Sequence, residues 1–300
     1  MALLGMKTVV ASVVALLLLR SLLRRVYLRR TGKLVPGSTA VITGGGSGIG
    51  LEFARLFAKA NCHVVLVGRN AENLRAAQAS CLSLGAPTAA YVVADLTTVE
   101  GTSKVGDALR ARQEPLKYLV LNAGAGAIAA FSSDPSFTDN CNELMQINYF
   151  SNVRLLQQLL PLLEKAHSTT APSRIVVLSS LAGVLPSIYR SAYTASKHAI
   201  QGFMNALRGE TAVAITLCCP GYVDTDFHQR AQLAGSFASS NTRRGVSAKE
   251  CARVCLEGAL RGDSEVITTL SGKLGYILRP IFTKFIDAQA KRISLHSLQK

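Results

Sequence analysis

The stretch Thr43-Gly-Gly-Gly-Ser-Gly-Ile-Gly50 constrains the fold more than any other part of the chain. A short apolar run with strand character, Thr39-Ala-Val-Ile-Thr43, precedes it. After it, Leu51, Phe53, Leu56 and Phe57 recur at helical spacing, so residues 49–60 read as a helix. A strand that turns on glycines straight into a helix leaves backbone N–H groups bare and points the helix N-terminus past the strand end. A pyrophosphate is bound well by that arrangement. Gly44, Gly46, Ser47, Gly48, Ile49 and Gly50 are the first candidates for cofactor contact. Their spacing, G-x3-G-x-G, differs from the commoner G-x-G-x-x-G, so the rest of the chain has to support the assignment.

The rest of the chain alternates. A second strand at 63–67 runs into Gly68-Arg69-Asn70, a third at 89–94 into Asp95-Leu96, and a fourth at 118–121 into Asn122-Ala123-Gly124. Helical patterns near 71–83, 98–112 and 139–164 separate these strands from further ones at 174–179 and 213–218. Strands alternating with helices predict an α/β fold with a doubly wound parallel sheet. Residues 34–270 are long enough for one such domain. Ligands bind at strand C-termini in open parallel sheets, which adds Asn70, Asp95, Leu96, Asn122, Ala123 and Gly124 to the cofactor candidates. Sites that prefer NAD usually place an acid after the second strand, to hold the ribose hydroxyls. Here Arg69 stands in that region, a guanidinium suited to a 2′-phosphate, so the expected cofactor is NADP(H).

Tyr193-Thr-Ala-Ser-Lys197 puts a phenol and an ammonium on one helix face, 13 residues after Ser180. An unperturbed tyrosine has a pKa of about 10 and needs a nearby cation to exchange protons near neutrality. Together with a dinucleotide turn, the pair points to hydride transfer to or from a carbonyl, with Tyr193 as general acid and base. Ser180, at the end of a strand, is placed to hydrogen-bond the substrate oxygen.

T-G-x3-G-x-G at 43–50, N-A-G at 122–124, Asn148, Ser180, Y-x3-K at 193–197 and Pro220-Gly221 resemble, in this order, the short-chain dehydrogenase/reductase family over about residues 36–270. The resemblance implies a single Rossmann-type domain with about seven parallel strands. It also implies a catalytic set of Asn148, Ser180, Tyr193 and Lys197, with Asn148 holding a proton-relay water and Lys197 the nicotinamide ribose. Asn122 would shape the cofactor floor, and Val223 and Thr225 would meet the carboxamide. In one respect the chain departs from the family pattern: between Tyr193 and Pro220 it is several residues short, the gap falling after Arg208-Gly-Glu and before Val213. The affected helix commonly lies in the family's dimer interface.

The net charge of +15 sits at the ends. Residues 1–33 carry Lys7, Arg20, Arg24, Arg25, Arg29, Arg30 and Lys33 with no acid. Residues 273–300 carry Lys273, Arg279, Lys284, Lys291, Arg292 and Lys300 against Asp287 alone. Basic ends on a nearly neutral domain fit an anionic membrane surface and argue against nucleic acid, as does the absence of Trp. Residues 2–23 are apolar apart from Lys7 and Arg20, so residues 1–33 read as an anchor helix with a basic flank. The positive-inside rule then places the catalytic domain in the cytosol, and the endoplasmic reticulum is the expected membrane. A cleaved presequence leading to an organelle matrix is the competing reading. Residues 271–300 read as an amphipathic helix and basic tail that lies in a membrane interface, caps the cleft or packs on the core. The seven cysteines form no C-x-x-C pair and read as buried thiols without a metal.

Residues 222–246 read as a mobile lid. The anchor and the C-terminal pattern are most similar to the membrane-anchored branch of the family, with 11β-hydroxysteroid dehydrogenase-like and dehydrogenase/reductase member 7-type proteins. That similarity implies a small hydrophobic substrate: a steroid, retinoid or lipid ketone or aldehyde and its alcohol. A 3-ketosphinganine-type reductase and a non-catalytic NADP-binding adaptor are the alternatives, with a homodimer as the expected oligomer.

Overall fold

A computed structural model describes residues 32–132, 134–227, 232–233 and 245–296. From Leu34 onward the chain forms one compact unit. The expected alternation is realised as β1 (Thr39–Thr43), α1 (Gly48–Lys59), β2 (His63–Gly68), α2 (Ala71–Ser83), β3 (Ala89–Val93), α3 (Val99–Arg110) and β4 (Leu116–Leu121). Then follow α4 (Phe137–Met145), α5 (Ser151–Ala166), β5 (Arg174–Leu178), α6 (Ser191–Leu207), β6 (Ala214–Cys219), α7 (Ala248–Arg261) and β7 (Glu265–Ile267). Two C-terminal helices, α8 (Leu270–Leu278) and α9 (Thr283–His296), complete the unit.

The seven strands form one parallel sheet in the order β7-β6-β5-β4-β1-β2-β3. This is the Rossmann-type arrangement, in which strand order reverses between β1 and β4 and opens a crevice at their C-terminal ends. The central strands are covered on both faces, which is why β1 and β4 are mostly apolar rather than alternating and are buried at every residue, Thr39, Thr43 and Lys117 included. On one face Ile42, Phe53, Phe57, Leu66, Leu74 and Leu256 join the sheet to α1, α2 and α7. On the other, Val41, Leu119, Leu155, Leu159, Ile200 and Met204 join it to α3, α5 and α6.

The single helix expected over 139–164 is two helices joined by a π-helical turn at Gln146–Phe150. Nothing in the apolar spacing distinguishes such a turn, whose one extra residue re-aims Asn148 inward. The shortened connection before Val213 closes locally. Glu210 N donates to Leu207 O at 3.0 Å, and Arg208 Nε bonds Ile215 O at 3.1 Å. Thr211 Oγ1 donates to Glu164 at 2.7 Å, and β6 begins seven residues after α6 ends. All seven cysteines are free, and six are buried.

Two-residue parallel pairs link Val223–Asp224 to Val246–Ser247 and Ala127–Ile128 to Gln232–Leu233. Most of the expected lid, and the anchor expected over 1–33 except for its last two residues, lie outside the described residues. Among the described residues no helix is long and apolar enough to cross a membrane.

Phe57 is fully buried, its ring 5.2 Å from that of Tyr118, whose hydroxyl accepts a hydrogen bond from Val35 N at 2.9 Å. Phe57→Ala is expected to destabilise the folded unit by about 3–5 kcal/mol, the range for truncating a buried aromatic ring. A denaturant titration of the purified chain checks this; a loss below 1 kcal/mol would mean that the ring does not help fix α1 on the sheet.

Candidate active site

A cleft of about 1190 Å³ opens at the C-terminal ends of the strands, across the point where strand order reverses. Its floor is built from the glycine turn. Gly44 and Gly48 have φ of +63° and +54°, a backbone region that side chains disfavour. A Cβ on Gly50 would lie 2.2 Å from Gly44 O, so α1 can start this close to β1 only with glycine at that position. Ser47 is the N-cap of α1, yet its side chain makes no capping bond, and the first turn contains no acid. The helix thus presents bare N–H groups and a positive dipole end, as a phosphate requires.

Two side chains fasten that turn to the next strand. Thr43 Oγ1 accepts from Asn122 N at 2.8 Å and Ala123 N at 3.0 Å. Asn122 Nδ2 donates back to Thr43 O at 3.0 Å and Gly44 O at 3.3 Å. At the ends of β2 and β3, exposed Arg69 faces the cleft with Asp95. Thr97 holds the Asp95 carboxyl below its ordinary range through its N–H at 2.9 Å and its hydroxyl at 2.7 Å, helped by the charge of Arg69.

Ser180, Tyr193 and Lys197 line the same cleft. Tyr193 is 6 % exposed and Lys197 5 %, with Lys197 Nζ 5.7 Å from the centre of the Tyr193 ring. Lys197 Nζ donates to Leu178 O at 2.9 Å, and burial lowers its pKa to about 8. Ser180 Oγ accepts from Ala182 N at 3.1 Å, which orients the hydroxyl at the strand end. Burial pushes the Tyr193 phenol up, while the Ser180 hydrogen bond and then the charge of Arg190 pull it down.

Of the expected site residues, Gly44, Ser47, Gly48, Ile49, Arg69, Asp95, Leu96, Asn122, Ala123, Gly124, Ser180, Tyr193, Lys197, Val223 and Thr225 meet at the cleft. Gly46, Gly50, Asn70 and Asn148 do not line it. Gly46 packs on Asn73, and Asn70 Oδ1 caps α2 by accepting from Asn73 N at 2.8 Å. Asn148 is wholly buried. Its Oδ1 accepts from Ala125 N at 3.0 Å, and its Nδ2 donates to Ala125 O at 2.9 Å and Ser196 Oγ at 3.0 Å. Even its carbonyl accepts a bond, from Asn152 Nδ2 at 2.8 Å. Sequence reasoning passed over Arg190, Phe227 and Ser196. Phe227 packs its ring 6.2 Å from Tyr193, and Ser196 Oγ donates to Tyr193 O at 2.8 Å. Ser196 lies inside the Tyr-x3-Lys segment, so its place was legible; Arg190 and Phe227 had no such marker.

A crevice of this shape with this set of groups defines an oxidoreductase of the short-chain dehydrogenase/reductase family, and the chain belongs to it: residues 38–234 match the short chain dehydrogenase family. Dehydrogenase/reductase SDR family protein 7-like from Dictyostelium discoideum is 31% identical over 266 residues, 87% of this chain and 83% of that protein. Hydroxysteroid 11-beta-dehydrogenase 1-like protein from Gallus gallus is 35% identical over 198 residues, 64% of this chain and 66% of the relative. Among solved structures, the RhlG/NADP active-site complex of Pseudomonas aeruginosa superposes with a TM-score of 0.69 at 24% identity, over 78% of this chain and 96% of that one. A short-chain dehydrogenase/reductase from Burkholderia phymatum in complex with NAD gives 0.71 at 22% identity, over 83% and 95%. At these identities the structures share the fold.

The buried ammonium has a consequence for stability. Lys197 titrates near 8 in the folded chain against an ordinary 10.5, so between those values the unfolded chain binds more protons and folding gains as pH rises. Below pH 8 both states are protonated and the cost of burying the charge is constant. Relative to Lys197→Met, the wild-type chain is expected to gain up to about 3 kcal/mol between pH 8 and 10.5. Denaturant midpoints of the two proteins across that interval check it; parallel curves would place the ammonium in water.

Proposed function

We infer that the protein is an NADP(H)-dependent oxidoreductase that interconverts a hydrophobic ketone or aldehyde and its alcohol, with Tyr193 as general acid and base. The observation that carries this is the buried Tyr193–Lys197 pair, with Ser180, in a cleft whose opposite wall is a glycine turn with bare N–H groups. The residues present fit a dinucleotide. The turn and the N-terminus of α1 would hold the pyrophosphate, Arg69 the 2′-phosphate, and Lys197 the ribose next to the nicotinamide. Asn122 and Thr43 keep the floor in place, and Val223 and Thr225 would face the carboxamide.

When bound, the nicotinamide supplies or accepts a hydride at the carbonyl carbon. In reduction, Ser180 donates a hydrogen bond to the substrate oxygen, and Tyr193 gives its phenolic proton to that oxygen as charge develops there. In oxidation both transfers reverse. Arg190 and Ser180 ease loss of the phenolic proton, which burial opposes. Asn148 acts as a positioning residue, beside the water-holding role expected from the family. Its side-chain amide ties the Ala125 backbone to Ser196, one turn along α6 from Tyr193. Leu144, Leu185, Ile188, Phe227 and Ile293 line the cleft, an apolar surface that favours a lipophilic substrate over a sugar. The names of the relatives, hydroxysteroid dehydrogenase-like among them, support the same substrate class. Residues 1–33 act as the membrane anchor, with the domain on the cytosolic side of the endoplasmic reticulum.

Tyr193→Phe is expected to lower turnover of NADPH with steroid, retinoid, ketosphingoid or acyl-dihydroxyacetone carbonyls by at least about 10²-fold while leaving NADPH binding intact. Retained turnover in this variant would remove Tyr193 from the chemistry. If the wild type binds NADPH but turns over none of these carbonyls, the adaptor reading gains. Arg69→Ala is expected to weaken NADPH by on the order of 1.5–3 kcal/mol and to leave NADH nearly unchanged. Equal losses for both cofactors would refute the phosphate contact.

A further inference from the structure

The C-terminal helix pair is built inside out. In α8, Gly272 and Gly275 face the body of the protein: a Cβ on Gly272 would lie 2.6 Å from Leu181 Cδ2, and one on Gly275 3.0 Å from Leu185 Cδ1. The large apolar residues of the same helix, Leu270, Leu274 and Ile277, point outward and are 74 %, 51 % and 51 % exposed. Ile281, Phe282, Phe285 and Ile293 continue that exposure through the turn and α9. A helix that needed only to cover the core would put its leucines where the glycines are. Among the described residues, eight of the thirteen exposed large apolar side chains fall within residues 270–293. They form a concentrated patch rather than the scatter normal for a surface.

The charge pattern identifies what the patch meets. Lys273, Lys284, Lys291 and Arg292 are all exposed, while the one acid, Asp287, is neutralised by Arg279 at 2.8 Å. That ion pair also clamps the end of α8 to α9, so the patch is held in one shape. Ser294 Oγ accepts from Ile188 N at 3.4 Å, which ties α9 to the loop before α6. Ser271, Gly272, Ala290 and Ile293 line the cleft itself, so the patch surrounds one of its edges.

We propose that α8 and α9 dock on the surface of an anionic lipid bilayer, with Leu274, Ile277, Ile281, Phe282 and Phe285 in the acyl–headgroup boundary and the lysines against lipid phosphate and carboxylate groups. Exposed aromatic and aliphatic side chains interleaved with lysines are the composition of an interfacial helix. The contact is separate from any anchoring by residues 1–33 and does not depend on the reaction assigned to Tyr193. It sets the cleft edge against the membrane, where a lipophilic substrate is already dissolved.

The chain has no Trp, so a single substitution supplies a unique reporter. Full-length Phe282→Trp and Phe285→Trp are reconstituted in phosphatidylcholine–phosphatidylserine vesicles with and without brominated acyl chains. Leu82→Trp, at the end of α2 and 48 % exposed, is the reference. The proposal expects at least threefold stronger bromine quenching at 282 and 285 than at 82. It also expects the quenching to fall in phosphatidylcholine alone and in the Lys284→Glu/Lys291→Glu background, with membrane partition of this patch down about fivefold per charge removed. Quenching no greater than at Leu82, while the vesicles still carry the protein, would overturn it. In that case a blue-shifted emission would assign the patch to a second copy or to the N-terminal segment, and an unshifted one to water. Quenching indifferent to both lipid charge and the lysine reversals would overturn the assignment to anionic headgroups.

Discussion

The side-chain amide of Asn148 joins three parts of the chain that the sheet alone would leave independent. It accepts from the backbone of Ala125, which follows β4, and returns a bond to the same residue. Its third bond goes to Ser196 in α6, and Ser196 in turn holds Tyr193 O. The π-helical turn at Gln146–Phe150 is what brings the amide inward, fully out of water. A buried amide with its partners removed would carry an unmet polar penalty of about 1–3 kcal/mol, so the network holds together as a unit. Through it, the cleft wall after β4 and the helix with Tyr193 and Lys197 keep a fixed spacing.

That helix carries a cost. Tyr193 and Lys197 are both nearly inaccessible, and burial acts on them in opposite directions, disfavouring the charged form of each. Ser180 and then Arg190 oppose that bias at the phenol.

Much of this was legible in the sequence because it follows from repetition. Apolar runs ending in Thr43-Gly, Gly68-Arg69, Asp95 and Asn122-Ala-Gly marked the strand ends, and parallel alternation then put those ends in one crevice. What escaped depends on one-residue differences or long-range packing. The π turn has the same apolar spacing as the helix it interrupts, so Asn148 reads as a residue of an unbroken helix until its extra residue is seen. Asn70 reads as a ligand because it follows a strand, yet a helix start beside it offers a nearer N–H. Arg190 and Phe227 reach Tyr193 from a loop and from beyond Pro220-Gly221, with no spacing rule to announce them. The partner of the Lys197 ammonium escaped for a related reason. Helical periodicity gives the shared face, but the Leu178 carbonyl that draws the ammonium comes from β5.

The proposed activity of this cleft is hydride transfer at a carbonyl carbon beside Tyr193. Incubating the detergent-solubilised full chain with NADPH deuterated at nicotinamide C4, on the transferring face, and with a lipophilic ketone tests it most directly. Mass spectrometry of the alcohol should find one deuterium on the carbinol carbon, with none incorporated by Tyr193→Phe. Alcohol formed without deuterium by the wild-type chain, with either face labelled, would contradict the account.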